Sequence, residues 1–586
     1  MTILLSQISI KNFRSCKDTE VILSPFTPLV GYNNCGKSNI LSAIQWLLRK
    51  SSLEKSDFND SEAAIEVSGL IEGISEAVLE LLDVKQRGSI SPYIKNGALR
   101  IKRTQQKPNA RANEINLFVG AVDGDQWVPN PNGIDNALAA LLPEPIRIGA
   151  MENAAEDASK AKTTTTIGKL LAEFLQPVRA AHGAELGVHL KEVEKRIAAE
   201  GDSRFDELGV IDQSINEKIE DLFPGIHVKL DFPVPTLDEL IKGGTIKVYE
   251  GGNEGRAFTS YGHGAQRSIQ IGLIRYLAEV KKANGAKAGT TLLLIDEPEL
   301  YLHPFAIEQI RSALKSLSRA GYQVIFSTHS GQLVSSMDAQ NTLLIRKDAE
   351  KGTYARKRLL ESIQSIVPNS IHQMEQLFTL TNSSRVLFSE KVVLTEGKTE
   401  IRLLPCIFEK ITGKSLGQAK IAIVGQSGVN DTKKSIEILG AMDLPTRAIV
   451  DLDYAFNGAV THGFLSKTDT DLNTLKNILE QMKNAGKITL NPSTGLPMKG
   501  ITTAAEAFSL LALEADAKIA LANIHERLKQ IGIWMWTLGA IEQHIGTTTK
   551  DESSWAAFQI KVEAGELAAI CPDMIGLSAL IAWILQ

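Results

Sequence analysis

The sequence predicts an α/β fold, in which parallel strands end in loops that carry the functional side chains. Three segments support this class. The apolar residues Leu29 and Val30 lead into the loop GYNNCGKS at 31–38, and a helical apolar pattern follows it. The runs TLLLIDEPE at 291–299 and KVVLTEGKTE at 391–400 each read as a buried strand that ends in acidic residues.

Composition limits the class of protein further. A chain of 586 residues has room for about three or four domains. The formal net charge of −5 does not support attraction of nucleic acid to the whole surface, so such binding would need a local basic patch. The four cysteines stand far apart, which argues against a disulfide scaffold and a zinc site. With no recognisable signal peptide or membrane span, we expect a cytoplasmic protein.

The loop at 31–38 is a complete G-x-x-x-x-G-K-[ST] phosphate-binding motif. Its glycines would let backbone N–H groups surround the phosphates of a nucleotide. Lys37 would reach the β- and γ-phosphates, and the Ser38 hydroxyl would hold Mg²⁺. A chance glycine-rich turn is the alternative, and the motifs that follow in the chain argue against it.

The acidic end of the 291–299 run predicts the second half of a nucleotide site, because functional groups of open α/β sheets lie at the carboxyl ends of strands. Asp296 would bind Mg²⁺, mostly through its water shell. Glu297 would polarise the water that attacks the γ-phosphate. An acidic pair at a strand end is often only a helix cap, but this pair shares the chain with a full phosphate loop.

Two further segments belong to the same prediction. SYGHGAQR at 260–267 places Ser260, Gly262 and Gly264 at a helix N-terminus, which predicts a second phosphate-binding nest. YQVIFSTHS at 322–330 reads as a strand that ends near His329. A single histidine is more often structural, but its spacing after the acidic pair favours a functional one.

Between these motifs the composition shifts to apolar residues at helical spacing, which are Ile167, Leu170, Leu171, Phe174 and Leu175. We predict a helical insertion here. A dimerisation element and ordinary packed helices are equally consistent with it. The segment that follows, 225–249, is expected to be rich in strands.

A second chemistry is predicted after residue 385. Glu396 and Glu400 lie four apart at a helix start, so they share a face. The strand at 447–453 ends in Asp451 and Asp453, which would face the same way on an extended strand end. Four carboxylates at strand ends repel one another unless a divalent ion binds, and Mg²⁺ or Mn²⁺ prefers such oxygen ligands. The alternative is a set of separate solvated turns.

The nucleotide motifs together resemble the ABC-type ATPases, and more closely their RecF/SMC-like branch. The resemblance rests on NFRS at 12–15, GYNNCGKSN, SYGHGAQR, LLLIDEPELYLHP and FSTHS. It implies that two ATPase heads sandwich ATP, with the signature helix of one head facing the phosphate loop of the other. The signature SYGHG departs from the transporter LSGGQ, and no Q-loop glutamine is assigned.

The resemblance also implies roles for single residues. His329 would be the switch histidine, residues 300–303 the D-loop, and Ser260, Gly262 and Gly264 would cap the γ-phosphate across the dimer. The remaining residues that would bind nucleotide are Arg14, Asn33, Asn34, Gly36, Lys37, Ser38 and Asn39.

The C-terminal pattern resembles a Toprim domain, the metal-dependent fold of topoisomerases, primases and certain nucleases. An ABC-type ATPase fused to a Toprim domain resembles the OLD (overcoming lysogenization defect) family of nucleases. That resemblance implies Mg²⁺-dependent cleavage of DNA, with the ATPase as a regulator, in phage exclusion or defence. It suggests Glu506 as a further metal-binding acid and Lys550 as a lysine that supports the transition state. An ordinary surface lysine is the equal alternative for Lys550.

From these patterns we expect four segments along the chain: a first ATPase segment at 1–158, a helical insertion at 159–224, a second ATPase segment at 225–381 and a Toprim domain at 385–586. The expected partners are DNA, a second copy of the chain in a dimer or higher even-numbered oligomer, and a helicase or other defence protein. The basic stretches at 100–111 and 356–358 would contact phosphates or be solvated faces. Rival functions are an ATP-driven DNA clamp or signalling ATPase with an inert Toprim domain, and a strand-passage enzyme.

Overall fold

The computed structural model describes most of the chain and divides it into two compact units. The described residues are 3–120, 126–142, 145–149, 175–242, 246–252, 254–284, 290–334, 338, 341–358, 385–426, 431–547 and 549–586. The first unit comprises Met1–Thr27, Gly36–Thr328 and Ala349–Thr353, and the second comprises Pro28–Cys35, His329–Asp348 and Tyr354–Gln586. Four of the five residues that predicted the helical insertion, and the predicted end of the second ATPase segment at 381, lie outside the described residues.

The strands are β1 (Leu4–Phe13), β2 (Cys16–Ile22), β3 (Phe26–Val30), β4 (Ile65–Glu72), β5 (Leu99–Gln105), β6 (Ile115–Gly120), β7 (Val128–Pro129), β8 (Ile146–Ile148), β9 (Lys247–Val248), β10 (Arg256–Ala257), β11 (Thr291–Asp296), β12 (Tyr322–Thr328), β13 (Leu343–Asp348), β14 (Gly352–Ala355), β15 (Lys391–Thr395), β16 (Ile421–Gly425), β17 (Thr446–Val450) and β18 (Ile533–Met535).

The helices are α1 (Lys37–Leu48), α2 (Glu76–Leu79), α3 (Val84–Ile90), α4 (Ile134–Leu141), α5 (Gln176–Ile197), α6 (Asp206–Glu220), α7 (Leu237–Lys242), α8 (His263–Asn284), α9 (Pro304–Arg319), α10 (Lys398–Thr412), α11 (Thr432–Ala441), α12 (Gly458–Thr461), α13 (Thr470–Asn484), α14 (Ala504–Leu513), α15 (Ala515–Gln530), α16 (Ile541–Ile545), α17 (Glu552–Glu563), α18 (Leu567–Ile570) and α19 (Met574–Leu585). Among the described residues, none of these helices is both long and apolar enough to cross a membrane.

The first unit contains an antiparallel layer and a parallel layer. The antiparallel strands follow the order β7-β6-β5-β4-β1-β2. In β1 the buried residues Ile8, Ile10 and Phe13 face the core, while Lys11 between them is exposed. The parallel strands β8, β11 and β12 pair in register, and Leu292 to Ile295 are fully buried. A strand covered on both faces accounts for this continuous apolar run.

The segment around 176–249 gives a mixed outcome. Helices α5 and α6 occupy the region in which the sequence predicts helices, although its assignment as a separate insertion stays a prediction. The prediction of a strand-rich segment at 225–249 is wrong, because residues 226–236 carry no strand and β9 is the only strand in the described part of this segment. Pro233 and Pro235 explain the difference, since proline cannot donate to a strand ladder.

The second unit is built around a four-stranded parallel sheet with the order β16-β15-β17-β18. Alternate residues of β15 enter two different cores: Val392 and Leu394 pack with α13 and α15, while Val393 packs with α10 and α19. Helices therefore cover both faces of this sheet. The carboxyl ends of β15 and β17, its central strands, are the places where acidic residues follow in sequence.

Candidate functional site

The phosphate loop ends in a backbone turn that requires glycine. Helix α1 begins at Lys37, directly after Gly36, whose φ angle is 103°. A Cβ atom on Gly36 would lie 2.1 Å from the Thr353 hydroxyl oxygen. Lys37 is buried and Ser38 is exposed on the first turn of α1, while Asn33 and Asn34 form the preceding turn. The local geometry is that of a phosphate loop leading into a helix N-terminus.

Arg14 and Asn39, two predicted nucleotide contacts, belong to one polar network in the first unit. Arg14 pairs with Asp57 at 2.9 Å and its Nη1 donates to the Asn39 side chain at 3.4 Å. Asn39 in turn donates to the Ser15 hydroxyl at 2.7 Å. Arg14 itself has a φ angle of 51°, an uncommon conformation for a side-chain-bearing residue. This network fixes the NFRS segment beside the start of α1.

Asp296, the predicted metal ligand of the nucleotide site, is the last residue of β11 and is nearly fully buried. Its Oδ1 accepts a hydrogen bond from the Ser327 hydroxyl at 2.9 Å, and its Oδ2 forms an ion pair with Arg147. Arg147 lies on β8, in register with Leu294 of the neighbouring β11. Sequence reasoning missed Arg147, because only the pairing of β8 with β11 reveals the contact.

Arg267 holds the turn that carries Glu297. Its buried guanidinium donates to the carbonyl oxygens of Asp296 and Glu297 at 3.0 Å and 2.6 Å. Burial lowers the pKa of Arg267, and the nearby carboxylates, Glu299 first, oppose that effect. Glu297 adopts a φ angle of 45°, which three such bonds to carbonyl oxygens (the third is to Pro298 at 3.4 Å) help to maintain. Arg267 therefore joins the signature segment to the acidic turn within one chain.

The predicted phosphate nest lies beside the predicted D-loop of the same chain. Ser260 ends a short 3-10 helix, and α8 begins at His263, one residue after Gly262. The His263 ring stacks on Tyr301 with ring centroids 5.4 Å apart. A Cβ atom on Gly264 would be 3.7 Å from the Tyr301 carbonyl oxygen. His329 directly follows β12, as the sequence predicts.

The four C-terminal acids occupy the ends of β15 and β17. Glu396 directly follows β15, and Glu400 is buried in the first turn of α10. Asp451 directly follows β17, but Asp453 lies in a 3-10 helix, Leu452–Ala455. The expectation that both aspartates face one way along an extended strand is therefore wrong in its geometry, because the strand ends at Val450. The two carboxylates still repel each other.

The electrostatics of these acids show uncompensated negative charge. Burial, followed by repulsion from neighbouring acids, raises the pKa of Asp451 to about 8 and that of Glu396 to about 7. Burial also raises the pKa values of Glu400 and Asp453. Among the described residues, the buried Glu396 Oε2 has no hydrogen-bond partner. A divalent cation is the natural counter-charge for such a set of oxygen ligands.

The C-terminal acids have the right chemistry for a metal ion, but they do not form a complete ligand shell. Within the described part of the chain, no three His, Cys, Asp or Glu side chains converge closely enough to hold a metal ion as they stand. The residues that would hold it are Glu396, Glu400, Asp451 and Asp453. Their raised pKa values and the unpartnered Glu396 oxygen fit oxygen ligands that lack a positive partner.

Lys550 is placed beside these acids. Its Nζ lies 3.3 Å from Oε2 of the buried Glu542, whose other oxygen accepts a hydrogen bond from the Thr399 hydroxyl at 2.6 Å. Burial disfavours the ammonium charge, but Glu542, Asp451 and Glu400 outweigh it and raise the pKa of Lys550. The Lys550 side chain is itself 55% exposed, so its role at the transition state stays a prediction. Sequence reasoning did not identify Glu542.

Three predicted residues have structural contacts that the sequence did not indicate. Glu506 lies exposed at the start of α14, where its carboxylate caps the helix through the Thr503 backbone and hydroxyl. Its metal role stays a prediction. Arg103 is buried and donates to the Leu47 carbonyl, so it is not part of a basic patch. Arg356 pairs with Glu390 at 2.7 Å and donates to the Asp443 carbonyl.

The fold and the two sets of residues define an ATPase joined to a Toprim domain. Residues 26–335 match the family model described as "AAA domain, putative AbiEii toxin, Type IV TA system". Residues 387–453 match the model described as "Overcoming lysogenization defect protein-like, TOPRIM domain". These domains use a nucleotide and a divalent metal ion. The predicted α/β fold class, with an ATPase followed by a Toprim domain, is confirmed.

Relatives identify the family. The Old nuclease of Escherichia phage P2 is 41% identical over 560 residues, which are 95% of this chain and 95% of the relative. The OLD nuclease of Thermus scotoductus is 23% identical over 77% of this chain and 82% of its own. Endonuclease GajA of Bacillus cereus is 23% identical over 69% and 67%, respectively. The chain belongs to the OLD nuclease family, and is an enzyme with ATPase and nuclease domains.

Solved structures of Smc head domains are also similar to a portion of the chain. An Smc head domain from Pyrococcus furiosus, bound to the C-terminal domain of ScpA, is 17% identical and covers 62% of this chain and 98% of its own, with a TM-score of 0.37. A similarity this low adds nothing to the assignment.

The variant Gly36→Ala is expected to weaken nucleotide binding by about 10- to 100-fold, because strain of about 1–3 kcal/mol would enter the phosphate loop. The added methyl group would meet the Thr353 hydroxyl at 2.1 Å in a left-handed backbone conformation. Titration with a fluorescent ATP analogue measures the affinity. The control is Gly88→Ala in α3, where nothing lies within 4 Å of the new Cβ atom. Wild-type affinity in Gly36→Ala would contradict the assignment of this turn.

The metal-free protein is expected to lose stability as the pH rises from about 4 to about 8. Folded Asp451 and Glu396 keep protons that the unfolded chain releases at its lower pKa values, so the stabilisation is complete at acid pH and lost through the folded pKa values. Thermal unfolding in a chelator at several pH values measures this loss. Asp451→Asn should flatten the profile, and Mn²⁺ should restore stability at the upper end. A profile that Asp451→Asn leaves unchanged would refute the assigned protonation.

Proposed function

We propose that this enzyme is an ATP-regulated, divalent-metal-dependent DNA endonuclease that acts in phage exclusion or antiphage defence. The observation that supports it most directly is the partly buried set of acids at the ends of β15 and β17, with Lys550 beside them. Membership of a family whose relatives are named as nucleases supports the reaction class. We expect Mg²⁺ at both sites, with Mn²⁺ as an alternative at the Toprim site, and a cytoplasmic location.

The chemistry follows from the side chains. Glu396, Glu400, Asp451 and Asp453 would hold one or two divalent ions, which supply an activated water and stabilise the charge of the transition state. Lys550 keeps its proton and provides a positive charge beside the scissile phosphate. Glu542 would hold the Lys550 ammonium in place through their ion pair. Glu506 would be a further ligand if its cap on α14 opened.

The ATPase would gate this chemistry, since phosphodiester hydrolysis is already downhill. Lys37 would contact the β- and γ-phosphates, with Ser38 and Asp296 holding Mg²⁺. Binding of Mg²⁺ at Asp296 would require Arg147 to release its carboxylate. Glu297 would orient the attacking water, and His329 would sense the γ-phosphate. ATP would stimulate cutting if the bound nucleotide favours the metal-bound arrangement of the Toprim acids, and it would inhibit cutting if it disfavours that arrangement.

We also propose that the enzyme assembles as a homodimer or a higher even-numbered oligomer. The signature residues Ser260, Gly262 and Gly264 would reach ATP bound to another copy, and helices in 159–224 would hold the copies together. Exposed apolar side chains on α5 and α6, such as Val188 and Val210, support an interface there. Light scattering should show a dimer or higher even-numbered oligomer; a stable monomer with and without ATP would overturn the dimer proposal. The proposed segments remain 1–158, 159–224, 225–381 and 385–586.

The competing function is an ATP-driven DNA clamp or signalling ATPase with an inert Toprim domain. Incubation of the purified protein with supercoiled plasmid and Mg²⁺ or Mn²⁺ separates the two. Nicked or linear DNA supports the nuclease, and unchanged DNA supports the clamp. Relaxed closed circles would indicate strand passage. The intact set of four acids favours the nuclease.

The variant Glu297→Gln is expected to bind ATP but to lose hydrolysis by about 100-fold or more, because an amide cannot accept the proton of the attacking water. Phosphate release and nucleotide affinity are measured on the same preparation. The matched control is Glu308→Gln, an exposed acid on α9. Hydrolysis at the wild-type rate in Glu297→Gln would show that the catalytic acid has been misplaced.

The two activities are expected to separate by mutation. Asp451→Ala removes a metal ligand and should reduce plasmid cutting by about 100-fold or more, with the ATPase rate preserved. Lys37→Ala should abolish ATP hydrolysis and leave the Toprim acids intact. Asp516→Ala, at an exposed position on α15, is the control for removal of an aspartate. Unimpaired cutting by Asp451→Ala would refute both the site and the nuclease mechanism.

A further inference from the structure

Trp536 contacts Glu400, one of the proposed metal-binding carboxylates. Its indole Nε1 donates a hydrogen bond to Glu400 Oε1 at 3.0 Å, and the side chain is completely buried. The residue follows β18, and its backbone N–H bonds to the Val450 carbonyl at 2.9 Å, next to Asp451. A buried indole N–H has a single direction in which it can donate, so it fixes the acceptor it meets.

The ring of Trp536 is itself held in place. It packs on His544 with ring centroids 4.6 Å apart. The His544 Nε2 accepts the backbone N–H of Leu538 at 3.2 Å, so the proton lies on Nδ1, which donates to Asp573 at 2.5 Å. His544 therefore has a fixed tautomer and orientation, and the indole that it packs against cannot turn away from Glu400.

The second oxygen of Glu400 is confined from another side. A Cβ atom on Gly397 would lie 2.3 Å from Glu400 Oε2, so this oxygen lies against the backbone of the turn that follows β15. We propose that Trp536 is a positioning residue, which aims the Glu400 carboxylate at the divalent ion of the Toprim site. This inference rests on the proposed metal role of Glu400. It extends the site by an indole that supports a ligand without touching the metal.

The test is Trp536→Phe, which keeps an aromatic ring but removes the N–H donor. Mn²⁺ alone is titrated into the protein, and binding is followed by electron paramagnetic resonance. The Mn²⁺ binding that is lost in Asp451→Ala is assigned to the Toprim acids, and its affinity is the quantity compared. We expect this affinity to weaken by about 10- to 100-fold in Trp536→Phe. Trp534→Phe is the matched control: Trp534 is also buried, lies two residues earlier and packs on Trp583, whereas the indole hydrogen bond to Glu400 comes from Trp536.

Wild-type Mn²⁺ affinity in Trp536→Phe, or equal weakening in Trp534→Phe, would overturn the positioning role. The absence of any Asp451-dependent Mn²⁺ binding in the wild type would instead overturn the proposed metal site, and this inference with it. The thermal unfolding midpoint of the variant in a chelator separates a mispositioned carboxylate from a destabilised fold. Only a destabilised fold lowers this midpoint when no metal is bound.

An independent set of contacts links the phosphate loop to the Toprim sheet, and all of its residues belong to the second unit. The Tyr32 hydroxyl of the loop donates to the Lys347 carbonyl at 2.8 Å and accepts from the Lys347 N–H at 3.1 Å. A Cβ atom on Gly31 would lie 2.4 Å from the Ile345 carbonyl oxygen. The first half of the phosphate loop is thus fastened to β13.

Arg346 of β13 contacts the segment that directly precedes β15. Arg346 is almost completely buried, and its Nη2 donates to the carbonyl oxygens of Leu387 and Ser389 at 3.2 Å and 2.8 Å. Its Nε pairs with Glu390 at 3.1 Å. Strand β15 begins one residue later, and its other end carries Glu396.

Lys420 contacts both the phosphate loop and the residue before β15. Its Nζ lies 4.2 Å from the centroid of the Tyr32 ring, and its carbonyl accepts the Glu390 N–H at 2.8 Å. We infer that these contacts couple nucleotide in the phosphate loop to the position of β15, and hence to the acids at its end. This link deepens the proposed function, because it names the residues through which ATP would regulate cutting.

The test compares plasmid cutting with and without a non-hydrolysable ATP analogue. Lys420→Met removes the cation over the Tyr32 ring, and Glu390→Gln removes the charge that Arg346 and Arg356 share. We expect the effect of nucleotide on the cutting rate to shrink by about threefold or more in each variant, while ATP hydrolysis and nucleotide-free cutting stay near the wild-type values. Lys414→Met, another exposed lysine of the segment before β16, is the control.

A nucleotide effect that persists at its full size in both variants would overturn the link and leave ATP regulation standing. If nucleotide does not change cutting by the wild type, both ATP regulation and the link fail. A loss in Lys414→Met as large as that in Lys420→Met would also contradict the link, since Lys414 makes no contact with the phosphate loop among the described residues.

Discussion

Negative charge buried at the carboxyl ends of parallel strands is the constraint on which both sites of this enzyme depend. A carboxylate removed from water needs a positive partner or a proton, because the charged form is otherwise strongly disfavoured. The sheet of the first unit meets this requirement at Asp296 with Arg147 and Ser327. The sheet of the second unit does not meet it in full: Lys550 is shared with Glu542, and the pKa of Asp451 remains raised to about 8.

This difference gives the two sites different behaviour. At Asp296 an internal guanidinium already supplies the counter-charge, so the proposed Mg²⁺ would have to compete with a side chain of the protein itself. At Glu396 and Asp451 burial and repulsion raise the pKa values, which favours protonation, and a divalent ion at the proposed site would displace those protons. In the proposed mechanism the first site therefore exchanges one positive partner for another, and the second exchanges protons for a metal ion.

The sequence was informative where chemistry is local. A phosphate loop, an apolar strand that ends in acids and a helix start can each be read from a few neighbouring residues, and Glu396, Asp451 and Asp296 lie at the strand ends as predicted. What sequence could not supply were contacts between distant segments. Arg147, Trp536 and Glu542 carry no local signal, because their partners lie about 140 residues away or are set by strand pairing.

Local propensity also failed where the backbone turned unexpectedly. The 3-10 turn at Asp453 and the proline-interrupted segment after α6 both differ from the extended structure that alternation suggests. Arg103 shows the same limit for charge: alternation along β5 places it in the core, although its neighbours in sequence are basic. The charge of a residue therefore does not by itself place it on the exposed face, because the alternation along its strand decides which face it occupies.

The sharpest test of uncompensated charge at the Toprim acids is the number of protons released when Mn²⁺ binds to the nucleotide-free enzyme. We predict release near neutral pH, since Asp451 and Glu396 hold protons with pKa values of about 8 and about 7. Calorimetric titration in buffers of different ionisation enthalpy measures it. Proton release that is lost in Asp451→Asn would support this charge balance, and Mn²⁺ binding at the Toprim acids without proton release would contradict it.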